Sequence, residues 1–262
     1  MKKKERARVL QQKQISAGIY DLELAVSFAS EARPGQFVSL FTGDGSRLMP
    51  RPISICGITD KSLRLVYRVA GSGTADFSKL AQGDEITVLG PLGNGFDPAP
   101  AAGKRVLLIG GGIGLPPMLG LGKALAALDG PEAPRSLAFV AGYRTDDRYL
   151  YEDMQACAPI YASTEDGSFG TRGTVLDAIS ENSLEADLIY SCGPKPMLKA
   201  LKAYAEEKDM ELYVSMEEKM ACGIGACLGC ICQSTEVDGH SHVHNKRICK
   251  DGPVFKARDI VL

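Results

Sequence analysis

Four cysteines near the C-terminus are the residues whose spacing most directly indicates chemistry. Cys222, Cys227, Cys230 and Cys249 follow the pattern C-x4-C-x2-C-x18-C, the spacing with which four thiolates hold a 2Fe-2S cluster. Glycine and alanine fill much of the intervening loop, and such small residues let the backbone turn its N–H groups toward sulfur. The pattern therefore predicts an iron-sulfur centre that transfers electrons.

Structural zinc and disulfides are the alternatives for these thiols. Structural zinc usually takes two closely spaced cysteine pairs, whereas here one such pair has its third thiol separated by four residues. The basic start of the chain, Met1 to Arg8, is followed by no apolar run. We therefore expect no secretory signal, no membrane span and a reducing, cytoplasmic location.

In a reducing compartment, spare thiols are expected to be mostly buried small apolar groups instead of disulfide partners. Cys232 is also a candidate substitute ligand, because it forms a C-x-C pair with Cys230. The four cysteines outside the motif are Cys56, Cys157, Cys192 and Cys232.

All three histidines lie between the third and fourth cysteines of the motif. His240, His242 and His244 alternate, so an extended strand would place them on one side, as a metal site requires. A Rieske centre also uses two histidines on one iron, but four well-spaced thiols already complete a cluster here. We expect the stretch from Glu236 to Asn245 to be a solvated hairpin tip without chemistry, adventitious metal binding being the alternative.

The length and net charge of the chain limit the classes of protein to which it can belong. A chain of 262 residues, 45% hydrophobic and with a net charge of -2, suits two modest domains and a small appendage. Because phosphate binding requires a basic surface, the near-neutral charge argues against a nucleic-acid partner.

The first part of the chain, from about Val9 to Gly95, reads as short alternating strands broken by turn residues. Only one short helical stretch, about Thr74 to Leu80, interrupts them, which predicts a small antiparallel β-barrel. The candidate strands are Gly18 to Val26, Gln36 to Thr42, Pro52 to Ile58, Ser62 to Ala70 and Asp84 to Leu89.

Beyond residue 100 the pattern is that of an α/β domain. Val106 to Ile109 is an apolar run without alternation, typical of a strand buried on both faces, and a glycine-rich turn leads from it to a helix starting near Pro116. Four more such strands and intervening helices, notably Pro194 to Lys208, predict a doubly wound parallel sheet. These strands are Leu137 to Ala141, Ile160 to Ser163, Leu188 to Ser191 and Leu212 to Val214.

The predicted fold class is thus α/β plus all-β, in three parts. Residues 1–100 form the N-terminal antiparallel barrel, 101–216 the parallel-sheet nucleotide-binding domain, and 217–262 the C-terminal 2Fe-2S segment.

The glycine-rich turn is a candidate dinucleotide site. A strand, a glycine turn and a helix start together bind anions, because glycines let the backbone approach a pyrophosphate. The strict G-x-G-x-x-G fingerprint fails, since Leu115 or Pro117 takes its last position, and a tight turn serving only packing is the alternative. Cys192 and Gly193 end the fourth buried strand, so both turns are expected to open onto one crevice.

Two arginines and a polar turn stand out in the barrel. Arg51 begins the segment Arg-Pro-Ile-Ser, and Arg68 precedes a Gly-Ser-Gly-Thr turn. Forked guanidinium donors and backbone N–H groups suit phosphates. By composition alone they are equally well surface arginines and a hairpin turn.

Taken together, these motifs resemble a known family. An R-P-x-S strand, a G-x-G-T turn, a G-G-G-I-G-x-x-P loop and a C-G-P turn occur in the order seen in the ferredoxin-NADP reductase superfamily. The terminal cysteine motif, with Met-Ala-Cys-Gly at its start and Cys-Lys-Asp-Gly-Pro-Val-Phe at its end, is similar to one branch, the electron-transfer subunits of dihydroorotate dehydrogenase B. The resemblance covers nearly the whole chain.

The resemblance implies FAD held between barrel and sheet domain, and NAD as co-substrate. Ser54 would neighbour the flavin N5, and Ile53 replaces a tyrosine common in the superfamily, which leaves open what stacks on the flavin. The residues implied for FAD are Arg51, Pro52, Ile53, Ser54, Val66, Tyr67, Arg68, Gly73 and Thr74, and the candidates for NAD are Gly111, Gly112, Gly114, Cys192 and Gly193.

The implied function is electron transfer from a dihydroorotate-oxidising, FMN-containing catalytic subunit to NAD+, in a heterotetramer with two copies of each chain, during pyrimidine (UMP) biosynthesis. No acid-base or nucleophile constellation is found, as expected when cofactors carry the chemistry. The alternatives are the electron-transfer subunit of a sulfide dehydrogenase, hydrogenase or glutamate synthase system, and a non-catalytic zinc module. NAD versus NADP stays open, because Arg144 and the pair Asp146-Asp147 follow the second buried strand.

Overall fold

The first six strands close into an antiparallel barrel. The computed structural model describes residues 2–237 and 242–262; His240, one of the three histidines discussed above, lies outside the described residues. Around the barrel the strands follow the order β1-β2-β5-β4-β3-β6. Their bounds are β1 Lys3–Ser16, β2 Ile19–Ala25, β3 Phe37–Phe41, β4 Arg51–Ile58, β5 Ser62–Arg68 and β6 Glu85–Leu92.

The longest of these strands, β1, is one that the sequence did not predict. It is rich in lysine, arginine and glutamine, and only Ala7 and Val9 among its residues are buried. Because hydrophobic alternation is the signal by which a strand is recognised, such a polar strand is easily missed. Backbone pairing with β2 on one side and β6 on the other closes the barrel.

The barrel interior is filled by apolar side chains that every strand contributes. Tyr67 is among them: its ring stacks on Tyr20 at 5.8 Å, and its hydroxyl donates to Gln12 Oε1 over 3.1 Å. The Gln12 amide nitrogen donates in turn to the carbonyls of Phe77 and Leu80. This network fixes helix α1 (Ser72–Phe77) against the barrel, and with it the turn after β5.

The later strands form a seven-stranded sheet in the order β10-β9-β8-β7-β11-β12-β15. Neighbours from β10 to β12 pair in parallel. The strands are β7 Arg105–Gly111, β8 Ser136–Tyr143, β9 Ile160–Thr164, β10 Thr171–Arg172, β11 Leu188–Cys192, β12 Glu211–Ser215 and β15 Val254–Lys256, and the helices are α2 Leu115–Ala126, α3 Tyr151–Gln155, α4 Val175–Glu181 and α5 Lys195–Glu207.

The strand order reverses beside β7. The chain proceeds from β7 to β8 and β9 on one side, then returns to β11 and β12 on the other. In open α/β sheets, ligands bind outside the carboxyl ends of the strands at such a switch point. The glycine turn after β7 and the Cys192-Gly193 turn after β11 both lie there. The predicted combination of a closed barrel and a doubly wound sheet is confirmed.

The chain divides into two compact units, and the C-terminal segment is shared between them. Glu217–Cys232 and Asn245–Val254 belong to the barrel unit, whereas Asp97–Met216 and Phe255–Leu262 belong to the sheet unit, together with the described residues from Gln233 to His244. The remaining elements are β13 (Ile231–Gln233), β14 (Asn245–Arg247) and α6 (Ile248–Asp251).

Pairing of β13 with β14 agrees with a hairpin around the histidine stretch. All eight cysteines lie in the described ranges and none forms a disulfide. Cys56, Cys192 and Cys232 are buried as expected, and Cys157 is half-buried. Among the helices of the described residues, none has the length and apolar character needed to span a bilayer.

Candidate cluster and cofactor sites

The first two cysteines of the motif form one pair of thiols. The Sγ atoms of Cys222 and Cys227 lie 3.3 Å apart, and the Cys227 backbone N–H donates to Cys222 Sγ over 3.3 Å. Gly223 and Gly225 between them have φ angles of 67° and 87°, in the left-handed region that side chains rarely adopt. The glycines thus permit the backbone path that turns N–H groups toward sulfur.

The other two cysteines form a second, deeper pair. Cys230 and Cys249 are 2% and 0% exposed, and the Cys249 backbone N–H donates to Cys230 Sγ over 3.4 Å. The Ile248 N–H donates to the Cys230 carbonyl over 2.9 Å. The segment after β14 is thereby held against the cysteine loop.

The surroundings of the cysteine thiols shift their pKa values in different directions. Burial favours the neutral form of Cys222, but N–H donors from Cys227, Ile224 and Ala226 outweigh it and hold the pKa of this thiol below its ordinary value. Burial and the neighbouring Cys230 raise the pKa of Cys249. Burial also raises the pKa of Cys232, the candidate substitute, to about 11.

Two pairs of thiols, each linked by N–H···S contacts, fit a two-iron cluster in which every iron takes two thiolates. A single zinc ion would draw four ligands around one point. Within residues 2–237 and 242–262, no group of three or more His, Cys, Asp or Glu side chains is arranged to hold one metal ion.

An ion pair that sequence reasoning missed spans the fourth cysteine. Arg247 and Asp251 flank Cys249, with the Arg247 backbone N–H and Nε donating to Asp251 Oδ2 over 2.8 and 3.2 Å. Arg247 Nη1 also donates to the Gly225 carbonyl over 3.3 Å. The ion pair therefore ties the segment of the fourth thiol to the loop of the first two. Its signal in the sequence is only an i,i+4 spacing.

The cysteine loop packs directly on the barrel. A Cβ atom at Gly223 would lie 2.9 Å from Ser39 Oγ on β3, so the lack of a side chain permits this close approach. On the outer surface of the loop, Ile224 is 41% and Leu228 70% exposed. The loop thus has one face on the barrel and apolar side chains in solvent.

Within the barrel unit, Arg51 meets the turn after β5. Its guanidinium occupies the space that a Cβ atom at Gly73 would need, and Nη1 donates to the Met49 carbonyl. Thr74 Oγ1 accepts from the Ala70 and Gly71 N–H groups and donates to the Gly71 carbonyl. A phosphate at this turn would thus meet the guanidinium and backbone N–H groups, not the threonine hydroxyl.

The other residues expected at the flavin separate into two groups. Pro52 and Ser54 are half-buried on β4 and Arg68 is exposed at the end of β5, so these three remain accessible. The side chains of Ile53 and Tyr67 lie in the barrel core, and Val66 is 2% exposed. Ile53 and Tyr67 therefore support the site from within the barrel, and these two residues and the buried Val66 could touch a ligand chiefly through their backbone.

In the sheet unit, the two predicted turns touch each other. A Cβ at Gly114 would collide with the Cys192 carbonyl, and one at Gly193 would lie 3.2 Å from the Gly111 N atom. Gly112 has a φ of 52°. The predicted common location of these turns at one edge of the sheet is correct, and the Met197 side chain also lies against Gly111 and Gly193.

Arg148 is a second residue that sequence reasoning missed. Its Nε lies 2.5 Å from Asp146 Oδ1, and its guanidinium carbon lies 3.8 Å from the centre of the Phe169 ring. The Asp166 N–H donates to the Arg144 carbonyl over 3.3 Å, which joins the loops after β8 and β9. The ring partner is far along the chain, so no local pattern indicates it.

Two family models match the chain. The iron-sulfur cluster binding domain of dihydroorotate dehydrogenase B matches residues 217–261, which contain the four paired thiols. The oxidoreductase NAD-binding domain matches residues 108–203, which contain the two touching turns.

Curated relatives match over almost their full length. The dihydroorotate dehydrogenase B (NAD(+)) electron transfer subunit of Listeria monocytogenes serotype 4b (strain F2365) is 46% identical over 97% of this chain and 98% of its own. The subunit of the same name from Geobacillus sp. (strain WCH70) is 43% identical over 100% of both chains.

Solved structures agree with these relatives. A structure of NADH-dependent reduced ferredoxin-NADP oxidoreductase matches with a TM-score of 0.84 and 27% identity, over 97% of this chain and 89% of that one. A Neisseria gonorrhoeae ferredoxin NADP+ reductase with bound FAD and NADP shares the fold, with a TM-score of 0.63 and 17% identity over 83% and 95% of the chains. The chain belongs to the family of dihydroorotate dehydrogenase B (NAD(+)) electron transfer subunits.

Proposed function

We propose that this chain is the electron-transfer subunit through which a dihydroorotate-oxidising partner reduces NAD+ in the biosynthesis of UMP. When bound, FAD exchanges a hydride with nicotinamide and single electrons with a 2Fe-2S cluster, so it links the two kinds of redox partner. The observation that carries the proposal is the packing of the four-thiol segment on the same barrel that presents Arg51 and Gly73.

In this proposal the cluster is held by two thiols per iron. Cys222 and Cys227 form one pair, and Cys230 and Cys249 the other, as their N–H···S contacts and the 3.3 Å Sγ separation of the first pair suggest. The backbone N–H groups directed at Cys222 favour its thiolate, the form that binds iron.

The barrel residues bind and orient FAD. Arg51 and the N–H groups of the turn at Gly73 and Thr74 receive its phosphates, since a guanidinium and backbone donors suit a pyrophosphate. Pro52 and Ser54 would line the flavin, and Arg68 at the end of β5 would contact the dinucleotide. The side chains of Ile53 and Tyr67 pack in the barrel core, and Val66 is also buried.

The sheet unit binds NAD at the two turns that touch. Gly111, Gly112 and Gly114 let the dinucleotide approach the backbone, and Cys192 and Gly193 form the adjoining wall at the end of β11. The chain's role in the reaction is to position its cofactors and exclude water, which needs no acid-base side chain.

The partner is an FMN-containing catalytic subunit of dihydroorotate dehydrogenase, in a heterotetramer with two copies of each chain. It docks over the Cys222 to Cys230 loop, where Ile224 and Leu228 are exposed and are of the apolar kind that forms the dry core of an interface. A cytoplasmic location is part of the proposal, because free thiols persist in a reducing compartment.

Reconstitution tests this function. The isolated chain, loaded anaerobically with FAD and iron, should reduce artificial acceptors with NADH but should not convert dihydroorotate to orotate. Orotate should form, with NAD+ as acceptor, when the catalytic subunit is added. Orotate production by the single chain would overturn the proposal. If the chain instead co-purifies with a subunit of a sulfide dehydrogenase, hydrogenase or glutamate synthase, that subunit takes the place of the proposed dihydroorotate-oxidising partner.

A further inference from the structure

One asparagine, Asn94, forms hydrogen bonds with residues 251–254, which follow the fourth cysteine in the chain. Asn94 follows β6, and its backbone N–H donates to the Gly252 carbonyl over 2.7 Å. Its amide nitrogen donates to the carbonyls of Asp251 and Val254 over 3.3 and 2.8 Å, and its amide oxygen accepts from the Val254 N–H over 3.1 Å. Every hydrogen-bonding group of the asparagine except its carbonyl is thus engaged with residues 251–254.

The preceding glycine, Gly93, allows residues 251–254 to approach this closely. Gly93 has a φ of 79°, and a Cβ atom there would collide with the Pro253 ring and lie 2.9 Å from the Gly252 carbonyl oxygen. Two successive residues of the barrel are therefore shaped to the same four residues. The turn itself does not require these contacts with residues 251–254, because Asn-Gly turns form without a distant partner.

The residues that Asn94 binds, 251–254, begin two positions after Cys249. Asp251 ends helix α6, which carries Cys249, and the Cys249 N–H donates to Cys230 Sγ over 3.4 Å. Displacement of residues 251–254 would therefore move the fourth thiol and weaken its contact with the third. Asn94 itself is exposed to solvent, so the barrel core does not depend on its side chain.

We propose that Asn94 is a positioning residue for the iron-sulfur centre, which fixes the Cys249 thiolate relative to the barrel and so sets the stability and the reduction potential of the cluster. Hydrogen bonding and solvent exposure around cluster sulfurs are known determinants of potential, and the Asn94 bonds hold the end of the helix that carries one of the four thiols and the residues that directly follow it. This inference rests on the proposed role of Cys249 as a ligand.

The test compares three variants of the full chain with their controls. Asn94→Ala removes the three side-chain bonds but keeps the backbone bond to Gly252. Asn94→Asp preserves size and the acceptor for Val254, but sets a carboxylate oxygen against two carbonyls. Gly93→Ala introduces the collision with the Pro253 ring.

Two control variants match these changes. Asn182→Ala removes a bond to the Ala178 carbonyl in the sheet unit. Gly18→Ala changes a glycine whose φ of 70° is equally strained, but whose Cβ would meet nothing within 4 Å.

The readouts are release of iron to a chelator, the visible circular dichroism of the cluster and its midpoint potential. We expect roughly three- to tenfold faster iron release in the Asn94 variants and an altered dichroism spectrum and potential, with FAD content at the parent level in both controls and Asn94 variants. A role in filling space alone predicts that Asn94→Asp behaves as the parent, and that result overturns the inference.

A further control separates this inference from the ligand assignment. Cys249→Ser should lose the cluster. If it does and both Asn94 variants retain parental iron release, spectrum and potential, Asn94 does not position the cluster. If Cys249→Ser keeps a parental cluster, the proposed ligand set itself is wrong.

Discussion

The guanidinium of Arg51, at the start of β4, occupies the space that a Cβ atom at Gly73 in the turn after β5 would need. Gly73 is not among the glycines with a positive φ. Its lack of a side chain is therefore a matter of space for the guanidinium, not of backbone conformation. The proposed phosphate site of FAD consequently depends on both residues.

Arg51→Ala should release FAD. Removal of a charged partner of a phosphate costs about 2 to 4 kcal/mol of binding, and fluorescence titration of the apoprotein with FAD measures it. Arg51→Lys should restore the charge without the forked geometry and bind with intermediate affinity. Arg33→Ala, at an exposed position before β3, is the matched control. An Arg51→Ala protein with parental affinity would make Arg51 a surface arginine only.

Gly73→Ala should weaken FAD binding in the same direction, because its Cβ would displace the Arg51 guanidinium. Gly71→Ala offers a close control two residues earlier: its φ of -176° is extended, and a Cβ there meets nothing within 4 Å. The same titration applied to both proteins distinguishes a specific collision from a general sensitivity of the turn. Equal affinities in the two variants would contradict the dependence of Arg51 on Gly73.

Cys227→Ser should remove the cluster and spare the flavin, since Cys227 pairs with Cys222 and the expected flavin contacts lie on β4 and β5. Iron content, visible absorbance and FAD content of the purified protein measure both effects. Cys232→Ser is the control of identical chemistry, and it should keep the cluster because the paired thiol contacts join Cys222 to Cys227 and Cys230 to Cys249. Two irons and an unchanged spectrum in Cys227→Ser would point to Cys232 as a replacement ligand.

The sequence predicted those features that are local. The cluster ligands stand out because three of them lie within nine residues, and the parallel strands because buried apolar runs are continuous. Strand β1 was missed since its alternation is masked by charged residues. Tyr67 was expected at the flavin, but its side chain enters the barrel core, a direction that depends on strand register and not on motif.

Contacts between distant segments are the part that no local pattern contains. Asn94 and Val254 are separated by 160 residues, and Arg148 and Phe169 belong to loops after different strands. A turn signal at Asn94-Gly95 is visible in the sequence, but its partner is decided by the packing of the C-terminal segment on β6. Residues that position a site are therefore harder to predict than residues that bind the cofactor.

Asp146→Asn should increase the use of NADP+ relative to NAD+. Asp146 pairs with Arg148 in the loop after β8, and at the proposed NAD site an arginine freed of its carboxylate partner would attract the 2′-phosphate of NADP. For a partly exposed ion pair, an increase on the order of fivefold in the ratio of kcat/KM values is expected. Asp129→Asn, which lies before β8 at the opposite end of the strand, should leave the ratio unchanged. A parental ratio in Asp146→Asn would remove the ion pair from the determinants of specificity.

Charged substitutions on the cysteine loop should separate the chain from its partner. Ile224→Glu and Leu228→Glu replace by carboxylates the two large apolar side chains that the loop exposes, 41% and 70% accessible, and burying an unpaired charge in an interface is costly. We expect loss of the heteromeric complex in size-exclusion chromatography and loss of NAD+-coupled dihydroorotate oxidation, while NADH oxidation with an artificial acceptor continues. Leu10→Glu, at a position 37% exposed on β1, should behave as the parent in all three assays. Because the two loop residues lie beside the thiols, iron content must be parental before a lost complex is attributed to the interface. A stable complex with full coupling in both loop variants would move the docking surface away from the cysteine loop.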